Sequence, residues 1–307
     1  MSSSVLYDAP GPRARTRNRI YTVVGSLAIL GLIAFAIYRM NEKGQLAPEV
    51  WNIFNNAGVR TNIRDGVLTT LQVFAVAGAL SLVLGLLLAV ARLSDHKAVS
   101  WCATGFIELF RAIPLLITIY ALWVLFLTYK ENLGVFGESS GFWALVIGLS
   151  VYNGCVQAEV IRAGVNAVPR GQVEAAYALG LRKSQVMTML QLPQAVRAML
   201  PTMISQLVVT LKDTSLGYVI TYTELLYTAR QMANNIIVNG DNPITAVVIV
   251  VGAIYIAMCL ALSGLATWIE RRGRRTKKGV TVAAAAEPVV ELAETDLPSS
   301  RKTDGGA

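Results

Sequence analysis

Charges fall along this chain in clusters, and the long stretches between them organise it. Counting from charge to charge gives uncharged runs at residues 20–38, 66–91, 112–129, 139–158 and 242–269. A helix that crosses a bilayer needs about 20 mostly apolar residues, and each of these runs comes close to that length or exceeds it. Residues 198–223 form a sixth candidate that contains Lys212 and Asp213. The uncharged part before them, residues 198–211, makes only about 21 Å of helix, short of the roughly 30 Å hydrocarbon layer. Either the two charges lie inside the bilayer or the helix breaks at them. Thr214, Ser215 and Gly217 follow at once and favour a break, which is tolerated only where the backbone is buried in protein or lines a cavity. The pattern predicts an all-α integral membrane protein with about six transmembrane helices.

Composition agrees. Of 307 residues 54% are hydrophobic and 15% charged, and the mean hydropathy is +0.52. The first run follows "RARTRNR", yet its 19 residues exceed a signal core and no small-residue cleavage site follows, so it is expected to remain as a helix. Before it lies a basic tail, residues 1–19; after it a polar external connection, residues 39–65, leads to five spans that lie closer together. This predicts one amino-terminal helix added to a five-helix core. Residues 271–307 are rich in small and charged side chains after the basic cluster, and disorder is expected there.

The net charge of +8 would suit a nucleic-acid binder if it were spread evenly. It is not. With the amino terminus in the cytoplasm, fifteen Lys and Arg near span ends fall inside and six outside, as positive-inside orientation requires. Both termini are then cytoplasmic, the protein sits in the cell membrane, and no nucleic-acid partner is implied.

Between the fourth and fifth spans, residues 165–194 read as two short helices rather than a loop. Pro169 and Gly171 open the segment, "QVEAAYAL" is rich in helix formers with Glu174 near the start, where a negative charge suits the helix dipole, and Gly180 can end the helix in a left-handed conformation. Ser184 is a candidate cap for "QVMTML", and Pro193 leads into the next span. Each helix has an apolar side and needs a surface to rest on; a bilayer surface is the plain reading.

The arrangement is more particular than that: Glu174-Ala175-Ala176, three residues, Gly180, nine residues, Leu190, one residue, then Leu192-Pro193. It resembles the cytoplasmic loop signature of permease subunits of ATP-binding-cassette importers, with Leu190 where Ile is commonest. "IELFRAIPLL", "AEVIRAG" and "LKDTSLGYVI" are similar to segments of the polar amino acid uptake permeases, so the likeness runs from about Asn62 to Arg272. Ala112-Ile113 depart from a frequent Gly-Thr, and Thr118 lies near a frequent Gln, which leaves substrate identity open. The resemblance implies a type I importer core over residues 66–270 and a coupling helix in which Ala175 and Ala176 seat closely, Glu174 caps or pairs at the rim, and Gly180 turns the corner into Leu192-Pro193. It also implies two ATPase subunits that bind ATP and magnesium, a second permease subunit, and an extracytoplasmic substrate-binding protein. The chain has no G-x-x-x-x-G-K-[ST] sequence of its own, so no cofactor is expected in it and no enzymatic role. A polar amino acid, glutamate foremost, is the expected cargo.

Intramembrane charges mark candidates for the substrate path. Lys212, Asp213 and Thr214 at the predicted break suit the ammonium and carboxylate of an amino acid; the alternative is an ion pair that locks helices. Glu159 with Arg162, and Glu108 with Arg111, are spaced to pair along one helix side, either as structural bridges or as a gate that opens with the coupling helix. Asn153 and Gln157 lie one turn apart on a deeper face. Ala77, Ser81, Gly85 and Ala89 form a stripe of small residues that suits close packing within the bundle, or else a subunit interface. Cys102, Cys155 and Cys259 have no metal spacing and read as core residues, and His96 has no partner in sequence. An ion-driven secondary transporter is the competing class, but such proteins carry paired repeats with broken helices in both halves. Nothing here resembles catalytic machinery, which leaves a membrane enzyme or anchor weakest.

Overall fold

A computed structural model describes residues 11–275, with side chains through residue 268. Among the described residues the chain is helical throughout, apart from one isolated bridge between Val238 and Asp241. Helix α1 (Pro12–Glu42) buries none of its residues; just beyond its end the Gln45 amide donates to the Asn242 carbonyl and its oxygen accepts from the Thr245 N–H, which tie the chain there to the rest. It starts at Pro12, so part of the expected basic tail is helical; residues 1–10 lie outside the described residues. The connection that follows is also structured: α2 (Pro48–Asn52) and a short 3-10 turn pack Ile53 and Phe54 onto the bundle.

Helix α3 (Ala57–Arg92) begins nine residues before the uncharged run and is capped by Asn56, whose side chain accepts from the Gly58 N–H at 2.8 Å. Helices α4 (Lys97–Ala112) and α5 (Leu115–Thr128) meet at a 97° bend. The cause is local: Pro114 drives Ile113 out of the helical region, to ψ 129°. The third run is therefore not one straight span. A turn at α6 (Val135–Glu138) leads to α7 (Ser140–Asn166), which is the axis of the bundle.

Lipid tails are as apolar as leucine, so helices in a bilayer associate by close fit rather than by escape from water. The stripe predicted on the second span supplies that fit. Ala77, Ser81, Gly85 and Ala89 are all buried, and a Cβ on Gly85 would stand 2.6 Å from the Gln157 Cβ and 3.1 Å from the Gly154 carbonyl. The stripe packs against α7 of the same chain. Ile107, Cys155, Ala158, Ile161 and Met203 fill one end of the bundle, while Val73, Ile119, Leu145, Leu149 and Ile220 fill its middle. Cys155 is thus a core residue, but Cys102 is exposed.

Beyond α7 come α8 (Arg170–Ala178), α9 (Lys183–Gln185) with a π-helical turn at Val186–Gln191, and α10 (Leu192–Asp213). A 3-10 segment (Thr214–Ile220), α11 (Leu225–Asn235) and α12 (Ile244–Arg275) complete the chain. Four helices, α1, α3, α7 and α12, are long and apolar enough to span a membrane, and the bent α4–α5 pair makes a fifth if it is one span. Helix α10, expected as a sixth, carries too many polar residues to pass as a lipid-facing span. Helix α12 continues past Ile269 to Arg275, so the first five residues of the tail expected to be disordered, 271–307, are helical; the remainder, from residue 276 on, lies outside the described residues.

Candidate functional site

The segment from α8 to α10 closes one end of the bundle, and its geometry follows from Gly180. The helix ends with the Leu181 N–H donating to the Ala176 carbonyl at 3.2 Å and the Gly180 N–H to that of Tyr177 at 2.9 Å, the paired closure that needs a left-handed residue. Gly180 supplies it at φ +81°. Ala176 faces inward and is buried, whereas Glu174, Ala175 and Tyr177 are exposed, and Leu179 and Met189 are 82% and 69% exposed. A ridge of large apolar side chains thus projects from α8 and the π-helical turn, outside the spans, and nothing among the described residues covers it.

Three expectations here need correction. Glu174 is the fifth residue of α8 and no acidic residue stands in its first turn, so it does not serve the helix dipole. Ser184 is not the cap: α9 starts after Arg182, whose N–H donates to the Gln185 side chain at 2.9 Å, and the Ser184 carbonyl accepts from Thr188 instead. The second helix is a π-helical turn running straight into α10, with Leu192 and Pro193 in its first turn.

At the same end, the two predicted three-residue pairs form and are joined. Arg162 Nη2 meets Glu159 at 2.9 Å, and Arg111 reaches Glu108 at 3.9 Å. Arg92, at the end of α3, binds both carboxylates: Glu159 through Nη1 and Glu108 through Nη2, the latter at 3.0 Å. Three guanidinium groups and two carboxylates therefore hold α3, α4 and α7 together. Sequence reasoning counted Arg92 only as an orientation charge, because its partners lie 16 and 67 positions away.

At the opposite end, α10 stops at Asp213 as its charges predicted, and Thr221 turns the chain at φ +56°. Lys212 is exposed, Asp213 half-buried and Thr214 buried. Neither Lys212 nor Asp213 belongs to any ion pair among the described residues, so the alternative of a helix-locking bridge is not formed. Close by, Glu224 is fully buried and accepts hydrogen bonds from the Leu226 and Tyr227 N–H groups, each at 2.7 Å, and from the Tyr255 hydroxyl at 2.8 Å. It caps α11 and ties it to α12. A cavity of about 300 Å³ lined by Asn62, Asp65, Thr69, Thr223, Thr228 and Gln231 opens between α3 and α11. Both features escaped the sequence reading, which placed Asn62 and Asp65 in a connection and gave Glu224 no role. Deeper in, the Gln206 amide donates to Asn153 at 2.7 Å and that of Gln157 to the Met203 carbonyl at 3.0 Å. The face predicted for Asn153 and Gln157 thus meets α10.

Residues 81–275 match the family of binding-protein-dependent transport system inner membrane components. The chain belongs to that family. The permease is 38% identical over 252 residues to the glutamate transport system permease protein GluD of Corynebacterium glutamicum, covering 81% of this chain and 89% of that protein. It is 31% identical over 210 residues to the glutamate/aspartate import permease protein GltK of Escherichia coli, 68% and 92% of the two chains. The crystal structure of an amino acid ABC transporter with histidines superposes with a TM-score of 0.60 at 28% identity, over 69% of this permease and 94% of that chain. These likenesses favour an ATP-binding-cassette permease over the ion-coupled class. ATPase and substrate-binding partners come with family membership.

Proposed function

We propose that this permease carries an acidic amino acid, glutamate foremost, into the cell, and that it does so as one of two permease subunits seated on two ATPase subunits. The observation that carries the reading is α8: a short helix outside the spans, turned by Gly180, with Leu179, Tyr177 and Met189 exposed. Exposed apolar groups of this size call for a protein partner, and the Glu174-Ala175-Ala176 face with the Leu192-Pro193 exit fits the cleft of a nucleotide-binding subunit. ATP and magnesium are held there, not in this chain. With α8 cytoplasmic, both termini face the cytoplasm and the cavity at Asp65 faces outward, where an extracytoplasmic binding protein delivers the solute.

Glutamate rests on the two relatives named for it. Within the chain, Lys212 and Asp213 at the broken end of α10 offer a zwitterion charges that no ion pair among the described residues engages, with Thr214 beside them, while Glu159, Arg162 and Arg111 close the cytoplasmic end. The test is uptake of labelled glutamate by vesicles holding the complete assembly, with aspartate, glutamine, arginine and histidine as competitors. ATP-dependent glutamate uptake that requires the binding protein is expected. Uptake by this chain alone under an ion gradient would overturn the reading, and preferential competition by arginine or histidine would overturn the choice of cargo.

A further inference from the structure

Two helices of the bundle are joined to the coupling segment by the backbone: α7 runs into α8 through a short turn, and α9 runs through the π-helical turn into α10. The ends of α3 and α4 have no such connection. They nevertheless touch the segment at one charged contact, where the ammonium of Lys183, at the start of α9, meets the carboxylate of Asp95 in the turn between α3 and α4. That turn is held in shape by the Ser100 hydroxyl, which donates to the Arg92 carbonyl at 2.8 Å. Three residues before Asp95 stands Arg92, the side chain that gathers Glu108 of α4 and Glu159 of α7.

We propose that Lys183 and Asp95 form a latch that carries displacement of the coupling segment to α3 and, through Arg92, to α4, so that all four helices move with the ATPase. This rests on the proposed docking of α8. A push applied at α8 reaches α7 and α10 along the chain, and from α7 it reaches α3 and α4 through their packing and the Arg92 bridges; the latch adds a second, direct route from the segment to the turn between α3 and α4. Lys183 and Asp95 are 45% and 71% exposed at the side chain, so the pair contributes little to folding, and its substitution leaves the buried contacts of the bundle in place. A contact influences a two-state change only by the difference in its strength between the states, which sets the expected effect at the scale of an exposed ion pair.

The test uses the complete assembly in vesicles, reading maximal uptake, the KM for the loaded binding protein and ATP hydrolysed per solute carried. Lys183→Glu and Asp95→Lys are each expected to lower maximal uptake about two- to fivefold at unchanged KM, with more ATP spent per solute, and Lys183→Arg to behave as wild type. The double variant Lys183→Glu with Asp95→Lys restores the pair with its charges exchanged and is expected to return coupling toward the wild-type value. Single variants that couple normally, or a double variant no better than either single one, would overturn the latch. Both results are read against a wild-type assembly that transports; a wild-type assembly that hydrolyses ATP but moves no solute would instead fail the functional reading.

Discussion

Replacing Gly180 separates backbone geometry from surface shape at the coupling corner. A Cβ placed there meets nothing within 4 Å, so inside the chain a substitution costs only the left-handed backbone at φ +81°. That conformation costs an ordinary L-residue about 1–2 kcal/mol; Asn tolerates it better, and a β-branched residue fares worst. Because about 1.4 kcal/mol is a tenfold change in an equilibrium, Ala is expected to reduce the fraction of permease holding the competent corner about fivefold to thirtyfold relative to Gly when an alternative corner lies close in energy. The apparent affinity for the ATPase falls by that fraction. The assay is ATPase binding to the detergent-solubilised permease, paired with ATP-driven uptake in vesicles. The order Gly, Asn, Ala, Val from best to worst is expected in both. Normal uptake by Gly180→Val would refute the requirement for this corner. An Asn variant as poor as the Val variant would refute the backbone argument and point to bulk at the docking surface.

Other consequences are as specific. Glu224→Ala removes the α11 cap and the carboxylate that accepts from the part-buried Tyr255 hydroxyl; loss of the cap together with one hydrogen bond gives a destabilisation of about 1–3 kcal/mol, read as a lower unfolding midpoint in detergent, with Glu224→Gln milder. Gly148→Val drives a side chain toward Ile119 Cγ1, which would lie 2.6 Å from the first added carbon; overpacking of this kind costs about 1–3 kcal/mol, and a variant as heat-stable as wild type would contradict the α5–α7 fit. Asp213→Asn is expected to raise the KM for uptake while ATP hydrolysis in the absence of substrate stays unchanged, which kinetics of the reconstituted assembly would show.

The features readable in the sequence are those set by neighbours a few residues apart. Gly180 ended its helix as predicted, Glu159 found Arg162 one turn away, and α10 ends at Asp213, where the sequence Lys-Asp-Thr-Ser had marked a break. Pro114 was equally visible, but counting charges merged it into an uninterrupted run, and the 97° bend was lost by weighing hydropathy over the restriction proline places on its neighbour. Arg92, Asp95 and Glu224 were missed for a different reason. Their partners come from other helices, and no local pattern marks a side chain whose role is assigned by packing. The cavity at Asp65 is of the same kind, since its walls are supplied by residues some 160 positions apart.

The tight fit of α3 on α7 also decides where a solute can travel. Gly85 lies against Gly154 and Ala158, and Val73, Ala77, Ser81 and Thr210 are sealed from solvent, so no path for an amino acid runs between α3 and α7. Opening one would mean prying apart backbones in near contact, at the cost of every packed side chain between them. In the proposed assembly of two permeases, the path of the cargo would then run over the outside of this bundle, where the second subunit supplies the facing wall.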